Sequence, residues 1–236
     1  MSNHEMSDKP EHVHAEPGQP RTIVFVAYPQ MGLLDLTGAQ TVFFAANRGL
    51  VERGLPGYAL HTASMEGGPV ATAEGLVVET RRLSEFAHGP IDTVIVPGSP
   101  HIRQVIADNV PLIEWLRATS TSARRTASVC SGTFLLAQAG LLNGLRVATH
   151  WVMADLFEQL FPLIELDREA IFVQQQSVWT SAGISAGIDL ALALVEADCG
   201  REMAMQVARR MVVYYRRPDN QDQWSPLLQS QYPTSA

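Results

Sequence analysis

The stretch Ser128-Val129-Cys130-Ser131-Gly132 lies where the pattern of the chain changes. Before it, Arg124-Arg125-Thr126-Ala127 approaches with strand character. After it, TFLLAQAGLLNG (133–144) has helical spacing. A cysteine is thus set where a strand turns into a helix, and the same alternation runs outward in both directions. TIVFVAY (22–28) is an apolar run ending at Pro29, the signature of a strand buried on both faces. LTGAQTVFFAANRGLVERG (36–54) predicts a helix with apolar positions Leu36, Val42, Phe43, Ala46 and Leu50, closed by Gly54. YALHTAS (58–64) reads as a second strand, and PVATAEGLVVET (69–80) as a short hairpin turning at Glu74-Gly75. DTVIVPGS (92–99) is a third buried strand, with helical text following through Leu116. Beyond the cysteine, DLFEQLF (155–161) predicts a helix stopped by Pro162, and IFVQQQSVWTS (171–181) two short strands around Gln174-Gln175-Gln176. ISAGIDLALALVEADCG (184–200) and REMAMQVARRMVVYYRRP (201–218) predict the last two helices, the second stopped by Pro218. Strand and helix alternating throughout predict an α/β chain with a mostly parallel sheet.

Composition narrows the function. With 46% hydrophobic and 17% charged residues, the 236-residue chain reads as one globular domain. Its formal charge of -7 argues against a broad nucleic-acid footprint. No apolar run reaches the roughly 18 to 20 residues of a membrane span. The text before Arg21 has no apolar core and reads as a disordered tail, residues 1–20; its His4, His12 and His14 read as solvated rather than as metal ligands. The folded domain is expected over 21–217, with 218–236 a polar tail or linker. Two cysteines, Cys130 and Cys199, allow no zinc spacing and no disulfide framework, and a reducing cytoplasm is the expected compartment. The sole lysine, Lys9, sits in the tail, which removes Schiff-base chemistry from the folded body. No cofactor and no metal are implied.

In open α/β sheets, sites form beyond the carboxyl ends of strands, and Cys130 stands at such an end. Ser-x-Cys-x-Gly follows the pattern of a nucleophile elbow with cysteine as nucleophile. A tight turn pushes the side chain outward, Gly132 permits close packing, and the following helix start favours a thiolate. The Ser131 N–H would then be an oxyanion donor. Asp35, set among Leu33, Leu34 and Leu36, is either the N-cap of the first helix or faces the site. At Pro97-Gly98-Ser99 the glycine lets a backbone N–H approach a ligand. His150 could orient or deprotonate the thiol, although taken alone it reads as a structural histidine. Trp151 reads as packing and Cys199 as structural.

AYPQMGLLDLTGAQTVFFAAN, VIVPGS, SVCSGTFLLAQAGLLNGLRVATHW and TSAGISAGIDLALALVEADCG together resemble the ThiJ/PfpI superfamily, of class I glutamine amidotransferase-like fold. The resemblance covers roughly residues 21 to 225 and implies a flavodoxin-like sandwich, the sheet lying between helices. It implies that Cys130 is the elbow cysteine, that Asp35 holds the acidic position paired with it, and that His150 holds the histidine position of some members. Gly98, Ser99 and Ser131 would supply backbone donors, although the family's frequent Pro-Gly-Gly is Pro97-Gly98-Ser99 here. Within the superfamily, LLDLTG with the elbow is similar to the isonitrile hydratases, in which a thiolate would attack the isocyanide carbon. VARRMVVYYRRPDNQDQWSPLL is instead similar to the amidotransferase-like domain of AraC/GlxA-type transcription regulators, and this is the more discriminating segment. The resemblance therefore implies a ligand-sensing domain, a small molecule bound near Cys130, and pairing into a homodimer. DNA would be contacted only through a helix-turn-helix module that these residues do not contain. A glutamine amidotransferase proper is disfavoured, because its triad needs a late histidine and none follows His150.

Overall fold

A computed structural model describes residues 18–87, 89–214, 216–219, 222, 223, 225 and 230. His4, His12, His14, Lys9 and Tyr215 lie outside the described residues. Strand β1 (Arg21–Val26) runs through the middle of the molecule, with Ile23 to Val26 inaccessible to solvent. It pairs in parallel with β2 (Tyr58–Ser64) on one side and β5 (Thr93–Val96) on the other. Beyond β5 follow β6 (Arg125–Val129) and β10 (Val178–Ser181), also parallel. Antiparallel strands close both edges. One is β9 (Phe172–Gln175) beside β10; the other is β3 (Gly68–Ala71), paired to β4 (Val77–Arg82), which itself lies parallel to β2. The sheet order is β3-β4-β2-β1-β5-β6-β10-β9. A small parallel pair, β7 (Arg146–Val147) and β8 (Glu165–Leu166), stands apart.

This order sets the layers. The chain leaves β1 toward β2, but crosses from β5 to β6 and from β6 to β10 in the opposite direction. Right-handed crossovers then put the connecting helices on opposite faces. Helix α1 (Leu33–Glu52) packs with α6 (Ala186–Cys199) and α7 (Arg201–Arg210) on one face. Helices α2 (Ile102–Asp108), α3 (Val110–Thr119) and α4 (Gly132–Gln138) pack together on the other, and α5 (Ala154–Leu160) follows β7. The mostly parallel, flavodoxin-like sandwich is the expected fold. The order of connection reverses between β1 and β5, so the crevice beyond their carboxyl ends is the topological switch point where such folds bind ligands.

Three helices differ from their sequence expectation. The text after DTVIVPGS makes two helices, because Pro111 in the first turn of α3 offers no N–H to the preceding turn. Helix α4 stops early at Gly140, whose φ of +76° is left-handed. Helix α7 ends at Arg210 rather than at Pro218. Val213 N–H bonds Ala208 O at 2.9 Å and Val212 N–H bonds Arg209 O at 3.1 Å, a Schellman closure with Val212 at φ +57° where glycine is usual. A β-branched residue gives no stop signal in the sequence.

Candidate functional site

Three loops meet at the switch point, from the ends of β1, β5 and β6. The turn after β6 holds Cys130 at φ +58°, a left-handed conformation costing a non-glycine residue on the order of 1–3 kcal/mol. The surroundings enforce it. Cys130 N–H bonds Ser181 O at 3.1 Å, and its carbonyl accepts from Thr149 Oγ1 at 2.9 Å. A Cβ on Gly132 would stand 2.3 Å from the Val96 carbonyl oxygen, so only glycine lets α4 start this close to β5. The elbow read from Ser-x-Cys-x-Gly is thus a strained turn.

Asp35 comes from the first turn of α1 and is buried. It is not the N-cap. Gly32 holds that position, and the Leu33 N–H is met by both carboxylate oxygens of Glu74, at 3.1 and 3.0 Å, from the β3–β4 hairpin tip. Asp35 instead turns inward. Its Oδ2 accepts Gly98 N–H at 3.1 Å, its Oδ1 accepts Ile184 N–H at 3.0 Å, and the Cys130 thiol hydrogen-bonds to it. The two open readings of Asp35 are separated here in favour of the site.

Burial works against the expected thiolate. Burial, and then the Asp35 charge, push the Cys130 thiol up to about 12, against a weaker pull from the Ser131 N–H. Helix α4 has only seven residues, too few for a strong dipole. Burial likewise pushes the Asp35 carboxyl up to about 6, against the pull of the Gly98 and Ile184 amides. Burial thus opposes ionisation of both groups, and the charge of Asp35 further opposes that of the thiol, which favours keeping a proton on the pair.

Two of the three expected oxyanion donors are engaged within the protein. Gly98 N–H is spent on Asp35, and Ser99 N–H is taken by Ser131 Oγ at 2.8 Å. Ser131 Oγ donates back to Ser99 O at 2.8 Å, which makes Ser131 a staple between two loops. Ser131 N–H points at the Cys130 sulfur. A serine in place of the second glycine of Pro-Gly-Gly thus anchors its loop, its own Oγ bonding Gln30 O at 2.6 Å.

His150 opens the 3-10 turn Trp151–Met153 and accepts Val152 N–H on Nδ1 at 3.2 Å. Burial lowers its pKa below the usual imidazole range. It reaches the same cavity as Cys130, and a Cβ added to Gly183 would come within 2.9 Å of both side chains. No bond joins them, so His150 flanks the thiol while Asp35 partners it. The cavity, of about 430 Å³, is walled by Leu34, Ala73, Pro100, Val152, Met153 and Ile184, with Asp35, Glu74, Ser99, Cys130 and His150 as its polar groups. Among the described residues no group of histidine, cysteine and acidic side chains could hold a metal ion.

The DJ-1/PfpI family signature matches residues 21–197, from the start of β1 to near the end of α6. The chain belongs to the DJ-1/PfpI family. It is 33% identical to the isonitrile hydratase of Pseudomonas putida over 78% of this chain and 75% of that one. It is 31% identical to the HTH-type transcriptional regulator GbdR of Pseudomonas aeruginosa, over 86% of this chain and 53% of the regulator. The chain therefore spans about half the length of that regulator. A ThiJ/PfpI family protein from Pseudomonas syringae shares the fold, with a TM-score of 0.71 at 24% identity over 92% of this chain and 85% of that one. Among the described residues of this family member, no helix is long and apolar enough to cross a membrane.

Sequence reading missed Glu74, Ile184, Val152 and Met153. Glu74 was visible as a hairpin tip, but nothing in the text places that tip on α1. Ile184 sits at φ +43° after Gly183, in text that predicts the beginning of a helix. Cys199 is as expected a packing residue, 3.4 Å from the Tyr58 hydroxyl at the opposite end of the sheet.

Proposed function

We propose that this chain is a ligand-sensing, regulatory domain of the AraC/GlxA regulator type, with the Cys130 cavity as its ligand site and DNA contacted by a separate module. The observation that carries this reading is the path of the segment after α7. Arg217 grips Asp189 on α6 through its backbone N–H, Nε and Nη2 at 2.7 to 2.9 Å, and reaches Ser185 Oγ at 3.0 Å. Gln223 then fastens the loop that carries His150. Its Nε2 donates to the carbonyls of Thr149, Arg168 and Ala170, and its Oε1 accepts Trp151 N–H at 3.0 Å. A smaller cavity of about 170 Å³, lined by His150, Ile184, Arg217 and Gln223 among others, lies between this strap and the site. Both walls that would meet a ligand, at Ile184 and at His150, are thus held by the segment that leads out of the domain. A ligand that shifts either wall acts directly on the strap. We further propose that the domain works in the cytoplasm as a homodimer, as the family resemblance implies.

The pair Asp35–Cys130 favours a second reading, an enzyme of the isonitrile hydratase type. The thiol would add across the isocyanide carbon, sulfur bonding to carbon and its proton passing through Asp35 to the same carbon, giving a thioimidate. Water would add to that carbon, its protons going to nitrogen and, through Asp35, to the departing sulfur. The sum is one water added and an N-formamide released, with no oxidant or reductant. One experiment separates the readings. The full chain and Cys130→Ala are incubated with cyclohexyl isocyanide and the N-formamide is measured. The sensing reading expects no turnover above the variant, and robust Cys130-dependent formation would overturn it.

A further inference from the structure

We infer that the Cys130 cavity selects its ligand by charge, admitting a small uncharged or cationic molecule with an apolar arm and rejecting carboxylates and phosphates. The inference rests on the reading of this cavity as a ligand site. Recognising an anion needs a fixed positive side chain or free N–H donors. Among the described residues that line the cavity there is no arginine or lysine. Two of the backbone N–H groups that would serve an anion are engaged within the protein, Gly98 on Asp35 and Ser99 on Ser131, and that of Ser131 faces the Cys130 sulfur. The N–H at the start of α1 is covered by Glu74, so that helix end does not present a bare donor either.

The charge that remains is negative. Asp35 and Glu74 stand on the same side, near enough that the charge of Glu74 disfavours ionisation of Asp35. An entering anion would face both carboxylates beside an apolar wall that includes Leu34, Val152, Met153 and Ile184. It would lose its hydration with no fixed positive charge to replace it. An alcohol, amide or amine loses much less, and an ammonium head gains from the two carboxylates, while the apolar arm lies along the same wall.

The test uses three molecules of one shape: 3-methylbutan-1-ol, 3-methylbutylamine and 3-methylbutanoate. Each is added at equal concentration to the full chain, and protection of Cys130 against methyl methanethiosulfonate is followed by mass spectrometry, with Cys199 as internal reference. The alcohol and the amine are expected to slow modification of Cys130, and the carboxylate to leave it unchanged. In Glu74→Gln, an exposed substitution that keeps an acceptor for Leu33, the carboxylate should begin to slow modification, by about two- to fivefold, the size of one partly screened charge. Protection by the carboxylate equal to or better than that by the alcohol would overturn the charge selection while leaving the cavity a ligand site. Failure of all three would remove the ligand site itself, and the sensing reading with it.

Discussion

Gly98 donates its backbone N–H to Asp35 Oδ2 at 3.1 Å, tying the loop after β5 to the first turn of α1 beside Cys130. A side chain at position 98 has no room. Its Cβ would stand 2.7 Å from Ser131 N and 2.8 Å from Asp35 Oδ2. Glycine is required here by close approach rather than by backbone angle, and the contact decides where the Asp35 charge sits relative to the thiol.

That charge should govern the cysteine. Asp35→Asn removes the anion that, after burial, does most to raise the Cys130 thiol. The pH midpoint of iodoacetamide labelling at Cys130 should therefore fall below that of wild type, and labelling near neutral pH should be faster. An unchanged midpoint would show that Asp35 does not act on the thiol. Cys199 should keep its labelling rate in both proteins.

The same carboxyl should mark stability against pH. Its folded pKa of about 6 lies above the ordinary 3.8, so folding favours the protonated form. Asp35 then costs stability at neutral pH, on the order of 2–3 kcal/mol. The cost fades as pH falls from about 6 toward 3.8. Asp92 works the other way, because the arginine and threonine bonds it accepts outweigh its burial and hold it low. The readout is thus the difference between wild type and Asp35→Asn in urea unfolding at pH 4 to 7. Wild type should gain relative to the variant as pH is lowered through this window, and a constant difference would exclude the shift.

Gln223→Ala should loosen the His150 loop without unfolding the domain. It removes the acceptor of Trp151 N–H and three bonds donated by Nε2. Amide hydrogen exchange at Trp151 is expected to quicken by about tenfold or more, the equivalent of one to two kcal/mol. Protection in β1 and β5 should stay as it was. Unchanged exchange at Trp151 would remove the strap from the argument for sensing.

Asp198→Ala should separate stability from the site. Asp198 accepts from Arg124, Arg125 and Tyr58 at the amino ends of the strands, and its side chain and that of Arg125 are 1% and 3% exposed. Removing it leaves a buried guanidinium without its carboxylate, expected to cost about 3–5 kcal/mol. The labelling midpoint of Cys130 should not move, since the network lies at the far end of the sheet.

The layered α/β fold was legible along the chain, because apolar runs such as TIVFVAY and amphipathic helices are local patterns with local causes. The elbow was legible too, since a cysteine between β6 and α4 followed by Gly132 leaves the backbone little choice. Arg210, Arg216 and Arg217 meet Glu52, Glu196 and Asp189, partners that no local pattern names. What the site does with these parts follows from contacts between distant segments. Whether Asp35 caps a helix or faces a thiol depends on Glu74, which lies 41 residues away in sequence and supplies the cap itself. Whether Cys130 is a thiolate depends on burial and on that same Asp35 charge, neither of which is a property of SVCSG. Whether Gly98 and Ser99 present free donors depends on which acceptors three separate loops bring to them. Hydrogen bonds and desolvation act between residues near in space and far apart in sequence, so their balance at this site is set by the packed fold.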